Sequence, residues 1–135
     1  MILLDTNAVI AIINRRPEVV RKRFTEHQAA GALLAISSIV VFELRFGVAN
    51  SPRRNFNAQL LDGFLAGLSS VLDFDSTDAD AAGAIRADLA KRGTPIGPYD
   101  VLIAGQALRH GATLVTANTA EFSRVAGLAV ENWAA

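Results

Sequence analysis

The sequence contains no cysteine. That absence excludes disulfides, thiolate zinc sites and a cysteine nucleophile. Histidine is nearly absent as well: His27 and His110 are the only two, too few for a histidine-rich metal site. Aromatic residues make up 7% of the chain, too sparse a supply to infer a base-stacking platform. No apolar run approaches the roughly 18 residues of a membrane span, so no membrane partner is expected. Neither sign of charge dominates: 13 basic residues balance 13 acidic ones. A uniformly basic surface is therefore excluded, whereas local patches are not. The first residues carry no basic segment ahead of their apolar run, so no secretory leader is expected, and the expected location is cytoplasmic.

What is present is apolar and regular. The 135 residues are 51% hydrophobic and 19% charged, the balance of a chain that can bury a core. One domain spanning residues 1–135 is expected, without linker, repeat or low-complexity tract. Short apolar runs at 2–4, 33–36, 71–74 and 113–115 read as buried strands, with a weaker candidate at 128–130. Between them the pattern predicts helices over 7–14, 17–30, 38–49, 53–68, 77–92 and 98–110. Pro17 suits a first helical turn, and Gly31 and Gly111 suit helix ends. Ser37 or Ser38, and Thr77 or Asp78, are candidate caps, and Asn118 or Thr119 is a candidate cap for a last short helix. Strands alternating with helices predict an α/β fold, a mostly parallel sheet of four to five strands covered on both faces.

Four acidic residues stand out by position. Asp5 ends the first strand, where open α/β sheets bind ligands. Asp100 follows the irregular stretch KRGTPIGPYD and falls in the first turn of a helix. Glu43 lies among apolar neighbours in SSIVVFELRFG, and Glu121 follows the fourth strand in LVTANTAEF. Each has an ordinary explanation when taken singly. Asp5 can cap a helix, Asp100 can complement a helix dipole, Glu43 can snorkel to the surface and Glu121 can be a solvated charge. Their joint placement changes the balance, because carboxylates gathered without a cation raise one another's pKa. Oxygen donors without cysteine and with little histidine favour Mg²⁺ or Mn²⁺ over zinc.

These residues resemble the PIN-domain family, and within it the VapC-type ribonuclease toxins of bacterial toxin–antitoxin pairs. The matching stretches are LLDTN at 3–7, SSIVVFELRFG at 37–47, GPYDVLIAGQAL at 97–108, LVTANTAEF at 114–122 and LAVENW at 128–133. They occur in family order along essentially the whole chain. The resemblance implies a central parallel sheet between helices and a site around Mg²⁺ or Mn²⁺. It implies that Asp5, Glu43 and Asp100 are the metal-site acids and that Thr6 and Asn7 are the strand-end polar pair. Thr116 and Asn118 match the family's T-x-N segment. Where many relatives carry aspartate this chain has Asn118, and Glu121, three residues on, is the expected fourth catalytic acid. The implied activity is metal-dependent hydrolysis of phosphodiesters in RNA, in structured RNA such as transfer RNA. An antitoxin partner and a homodimer are implied in the same way.

Basic candidates for holding RNA phosphates are Arg15–Arg16, Arg21–Lys22–Arg23, Arg53–Arg54 and Lys91–Arg92, all of which also suit the solvated faces of amphipathic helices. The apolar stretches at 8–13 and 60–68 are candidates for a groove that takes an antitoxin tail, or for ordinary core. His27 and His110 read as surface or helix-end residues, and Trp133 as a packing anchor. A haloacid-dehalogenase-like phosphatase also begins with aspartate at a strand end, but its second acid is replaced here by Asn7. A non-catalytic RNA-binding module is the other alternative. A nucleotide-binding Rossmann module lacks its glycine fingerprint in this chain.

Overall fold

The first strand, Ile2–Leu4, is buried on both of its faces, with Leu3 and Leu4 fully shielded from solvent. That is why its sequence is a continuous apolar run and not an alternation: a strand inside a parallel sheet has no wet face. Burying each leucine contributes roughly 1.5–3 kcal/mol. The computed structural model describes residues 1–135. β1 is the middle of a five-stranded sheet formed with β2 (Leu34–Ser37), β3 (Ser70–Leu72), β4 (Thr113–Val115) and β5 (Ala129–Glu131). The order is β3-β2-β1-β4-β5 and every pairing is parallel.

The helices are α1 (Thr6–Asn14), α2 (Glu18–Ala29), α3 (Ser38–Ala49), α4 (Arg54–Ala66), α5 (Ser76–Lys91), α6 (Pro98–Arg109) and the single turn α7 (Thr119–Phe122). From β1 to β3 the chain moves outward one way; from β3 it crosses to β4 and continues to β5. Right-handed crossovers then put α1 to α4 on one face and α5 to α7 on the other. The packing agrees, since α1 packs on α2, α3 on α4 and α5 on α6. Gly105 of α6 makes the last contact possible. A Cβ there would stand 2.7 Å from the backbone of Ala82, so only glycine allows α5 to come this close.

The strand and helix bounds follow the sequence pattern closely in the buried middle of the sheet and drift at its edges. β3 runs 70–72 and not 71–74, and β5 runs 129–131. Both are edge strands with mostly exposed side chains, so burial constrains them less. The fourth helix is shorter than its apolar pattern, ending at Ala66. The cap of α5 is neither Thr77 nor Asp78 but Asp75, which forms a reciprocal capping box with Asp78. Ser37 caps α3. Asn118 occupies the cap position of α7, yet its side chain makes no capping hydrogen bond. Gly31 and Gly111 take positive φ beyond α2 and α6, the left-handed conformation that ends a helix at low cost in glycine. Trp133 is fully buried and stacks on His27 with ring centroids 4.6 Å apart.

Candidate active site

The strand order reverses between β1 and β4, and the crevice beyond their C-terminal ends is where an open α/β sheet receives a ligand. Asp5 follows β1 and Thr116 follows β4, so the two line opposite lips of that crevice. Both are buried. Asp5 is also the N-cap of α1: its Oδ1 accepts from the Ala8 amide at 2.8 Å. The capping role and the site role coincide, because a short turn from strand to helix holds the carboxylate rigidly at the sheet edge.

Three further acids reach the same crevice from other elements. Glu43 comes from α3, and its Oε1 accepts from the Thr6 hydroxyl at 2.8 Å. Asp100 stands in the first turn of α6, after the Gly97–Pro98 corner. A Cβ on Gly97 would sit 3.1 Å from Asp100 Oδ2, so this glycine leaves room for the carboxylate. Glu121 comes from α7, and its Oε2 accepts from Asn118 Nδ2 at 2.7 Å. Asn118 is placed in turn by its own amide, which donates to Thr116 Oγ1 at 2.9 Å. Asn7 is exposed in the first turn of α1.

The electrostatics of the acids record their proximity. Burial pushes the Asp5 carboxyl above its usual range; hydrogen bonds from Thr116 and Ala8 counter this, and the charge of Glu43 adds to it. The Asp100 carboxyl is pushed up to about 6, by burial first and then by the charges of Glu121, Asp5 and Glu43. A hydrogen bond shared with Glu121 adds to the rise. Asp5, Glu43, Asp100 and Glu121 thus share one crevice, although no three of them stand close enough to form a ready-built cage for an ion. The donor set is carboxylate and hydroxyl oxygen throughout, which suits a hard divalent cation. The mutual repulsion is of the kind such a cation relieves.

Sequence reasoning picked out four acids, Asp5, Glu43, Asp100 and Glu121, that come together in one crevice with Thr6, Thr116 and Asn118; it also picked out Asn7, which is exposed beside them. It missed the supporting links. Gly97 carried a signal, a glycine before a proline at a helix start. The Thr6–Glu43 and Asn118–Glu121 hydrogen bonds carried none, because partner choice depends on side-chain geometry. Of the basic candidates, Lys22 and Arg92 are paired with Glu26 and Asp88. Arg53 lies over the Phe56 ring at 4.2 Å.

Beside Glu43 runs an apolar groove of about 290 Å³, lined by Ile10, Ile13, Leu44, Leu60 and Leu61 among others. The stretches 8–13 and 60–68 that the sequence marked supply Ile10, Ile13, Leu60 and Leu61, and α3 supplies a further wall with Glu43, Leu44, Gly47 and Val48. No helix of the chain is long and apolar enough to cross a membrane.

Known proteins resemble this chain in sequence and fold. The family model described as PIN domain matches residues 2–128. The chain is 42% identical over 131 residues to the tRNA(fMet)-specific endonuclease VapC of Shigella flexneri, covering 97% of this chain and 96% of that protein. It is 40% identical to Ribonuclease VapC2 of Rickettsia felis, with the same coverage. Among solved structures, VapBC2 from Rickettsia felis bound to a promoter DNA fragment matches with a TM-score of 0.91 at 38% identity, covering 98% of this chain and 99% of that one. DNA-bound VapBC from Salmonella typhimurium matches with a TM-score of 0.89 at 42% identity, covering 98% and 97%. With the strand-end aspartate, the α3 glutamate and the α6 aspartate in one crevice, the chain belongs to the PIN domain family, among its VapC ribonucleases.

Proposed function

We propose that this chain is the toxin of a toxin–antitoxin pair, an endoribonuclease that depends on Mg²⁺ or Mn²⁺ and cuts structured RNA. The observation that carries the reading is the meeting of Asp5, Glu43, Asp100 and Glu121 at the crevice between β1 and β4. Asp5 and Asp100 would hold the cation directly, Glu43 directly or through water. When bound, the ion supplies an acidified water and offsets charge on the phosphodiester. The protein's own part is positioning. Thr6 fixes Glu43, Thr116 fixes Asp5, and Asn118 fixes Glu121. Transfer RNA is the substrate class to test first, because a relative of 42% identity is named for one.

The antitoxin is the partner we assign to the groove beside Glu43, whose apolar walls and single acid suit a peptide with apolar side chains and a basic one. The homodimer implied by resemblance finds support in exposed Phe42, Phe46 and Tyr99 beside the site, with the Phe42 and Tyr99 rings 5.6 Å apart.

The test uses purified chain, freed of partner, with transfer RNA. Cleavage should require Mg²⁺ or Mn²⁺ and stop with chelator, and Asp5→Asn or Asp100→Asn should abolish it while the circular-dichroism spectrum stays native. Cutting at the wild-type rate by both variants overturns the assignment.

A further inference from the structure

A second cleft opens on the other side of the site from the apolar groove. It has a volume of about 210 Å³, and its lining includes Asn7, Ala8, Ala11, Arg16, Thr116 and Asn132. One of these, Thr116, hydrogen-bonds Asp5 in the crevice that holds the acids. The cleft is therefore continuous with the site.

Its chemistry differs from that of the groove beside Glu43. No acidic side chain lines it. Its one charged residue is Arg16, which is exposed. The ion pairs of the chain use Lys22, Arg45, Arg92, Arg109 and His110, so Arg16 has no carboxylate partner. Side-chain amides from Asn7 and Asn132 stand along the same cleft. The alanines at positions 8 and 11 keep its floor low along one face of α1. From Asn7 to the end of α1 at Asn14 the helix rises about 10 Å, and Arg16 follows two residues beyond that end, after the left-handed Arg15. The opposite wall is the C-terminal segment, held down by Arg23, which donates to the Asn132 and Ala135 carbonyls at 3.5 and 3.1 Å.

An unpaired cation at the end of an acid-free cleft, a short reach from the reacting crevice, fits a backbone phosphate of a polyanion. We infer that this cleft carries the RNA strand away from the site and that Arg16 binds a phosphate flanking the one that is cut. The inference rests on the ribonuclease reading and deepens it. It divides the surroundings of the acids in two: the apolar side takes the inhibiting protein, and the cationic side takes substrate.

Binding of fluorescent transfer RNA, measured in the non-cleaving Asp100→Asn background over a series of salt concentrations, tests this. Arg16→Gln should weaken binding several-fold at low salt and flatten the slope of log K against log salt by about 0.7, the release of one counterion from a single strand. Arg16→Lys should restore the slope. Arg86→Gln, which removes an exposed charge on α5, should leave it unchanged. In the cleaving enzyme, Arg16→Gln should raise KM for long RNA with kcat retained, and should leave cleavage of a ribodinucleotide, which has no flanking phosphate, as it was. An unchanged slope overturns the assignment. So does an Arg16→Gln enzyme with normal RNA parameters that escapes inhibition by a protein partner, which would make the cleft a protein contact. If the unaltered chain neither binds nor cuts RNA, the ribonuclease reading itself falls, an outcome separate from wild-type cleavage without a role for Arg16.

Discussion

Thr6 and Glu43 lie 37 positions apart in the chain, and the Thr6 hydroxyl donates to Glu43 Oε1 at 2.8 Å. Thr6 is the first residue of α1, fixed by the strand end that also carries Asp5. Glu43 belongs to α3, a separate element that follows β2. The hydrogen bond ties the orientation of one acid to the position of another. Thr6→Val keeps the shape and removes the donor. It should cost about 1 kcal/mol of stability and lower activity roughly tenfold, with a higher Mg²⁺ concentration needed for half-activation. Thr6→Ser should keep most of the activity. Mg²⁺ titrations of the two variants make the comparison, and equal loss in both would show that the hydroxyl has no positioning role.

Asp100 gives the metal-free protein a pH dependence. Its folded carboxyl titrates at about 6, above the ordinary value of 3.8, so the folded chain holds this proton more tightly than the unfolded chain does. Stability from this group is fully present below pH 3.8, declines as pH rises through about 6, and is level above that. Asp100→Asn removes the penalty. In the presence of chelator it should raise Tm by about 3 °C at pH 8, corresponding to roughly 1 kcal/mol after solvent screening at a half-buried position. At pH 4 the variant and the wild type should melt together. Scanning calorimetry at the two pH values checks the sign, and a variant less stable at pH 8 would contradict the repulsion.

Asp78 titrates the opposite way. It is fully shielded from solvent, and Arg109 Nε donates to its Oδ1 at 2.5 Å. Burial by itself would raise this carboxyl; the Arg109 hydrogen bond and the Asp75 amide outweigh it and hold the carboxyl below its ordinary range. Its stabilising contribution is present above the unfolded value of 3.8 and is lost as pH falls through the lower folded value. Asp78→Asn should destabilise by about 2 kcal/mol near neutral pH, because Arg109 loses its buried charge partner and keeps only the exposed Asp75 at 3.3 Å. Urea midpoints at pH 7 and pH 3 should differ less in the variant than in the wild type. An undiminished acid sensitivity would assign the effect to other carboxylates.

The contrast between these groups marks how far the sequence could be read. The buried middle strands were legible because Leu3, Leu4, Leu34, Ala35, Ile36, Leu114 and Val115 have no wet face, and an unbroken apolar run is the mark of that. Asp5 and Asp100, which share the crevice, were legible as candidates because each sits where a strand or a loop meets a helix. The edge strands slipped because their exposed side chains leave little pattern. The cap of α5 was expected at Thr77 or Asp78 and stands at Asp75, since aspartate and threonine both cap well and only the hydrogen bonds single out the true position. The Asp78–Arg109 pair, 31 positions apart, left no trace in the sequence. It exists because α5 packs closely on α6, a contact that Gly105 permits from the middle of a helix.

Glu121 is the acid whose role the sequence leaves most open, since Asn118 stands where an aspartate is common in the family. The geometry makes the two a unit: Asn118 Nδ2 donates to Glu121 Oε2 at 2.7 Å, and the Glu121 charge is the largest electrostatic contribution at Asp100 after burial. An amide cannot replace a carboxylate as an anionic ligand, but it can orient one. Glu121→Gln should therefore weaken Mn²⁺ binding roughly tenfold and move the Asp100 carboxyl back toward its ordinary range. Asn118→Ala should weaken Mn²⁺ binding less than Glu121→Gln, because the carboxylate stays while its orientation relaxes. Calorimetric Mn²⁺ titration, with NMR of the Asp100 carboxyl, measures both. If Glu121→Gln binds Mn²⁺ as the wild type does and Asn118→Ala does not, the fourth position belongs to the asparagine, and the glutamate is a solvated charge.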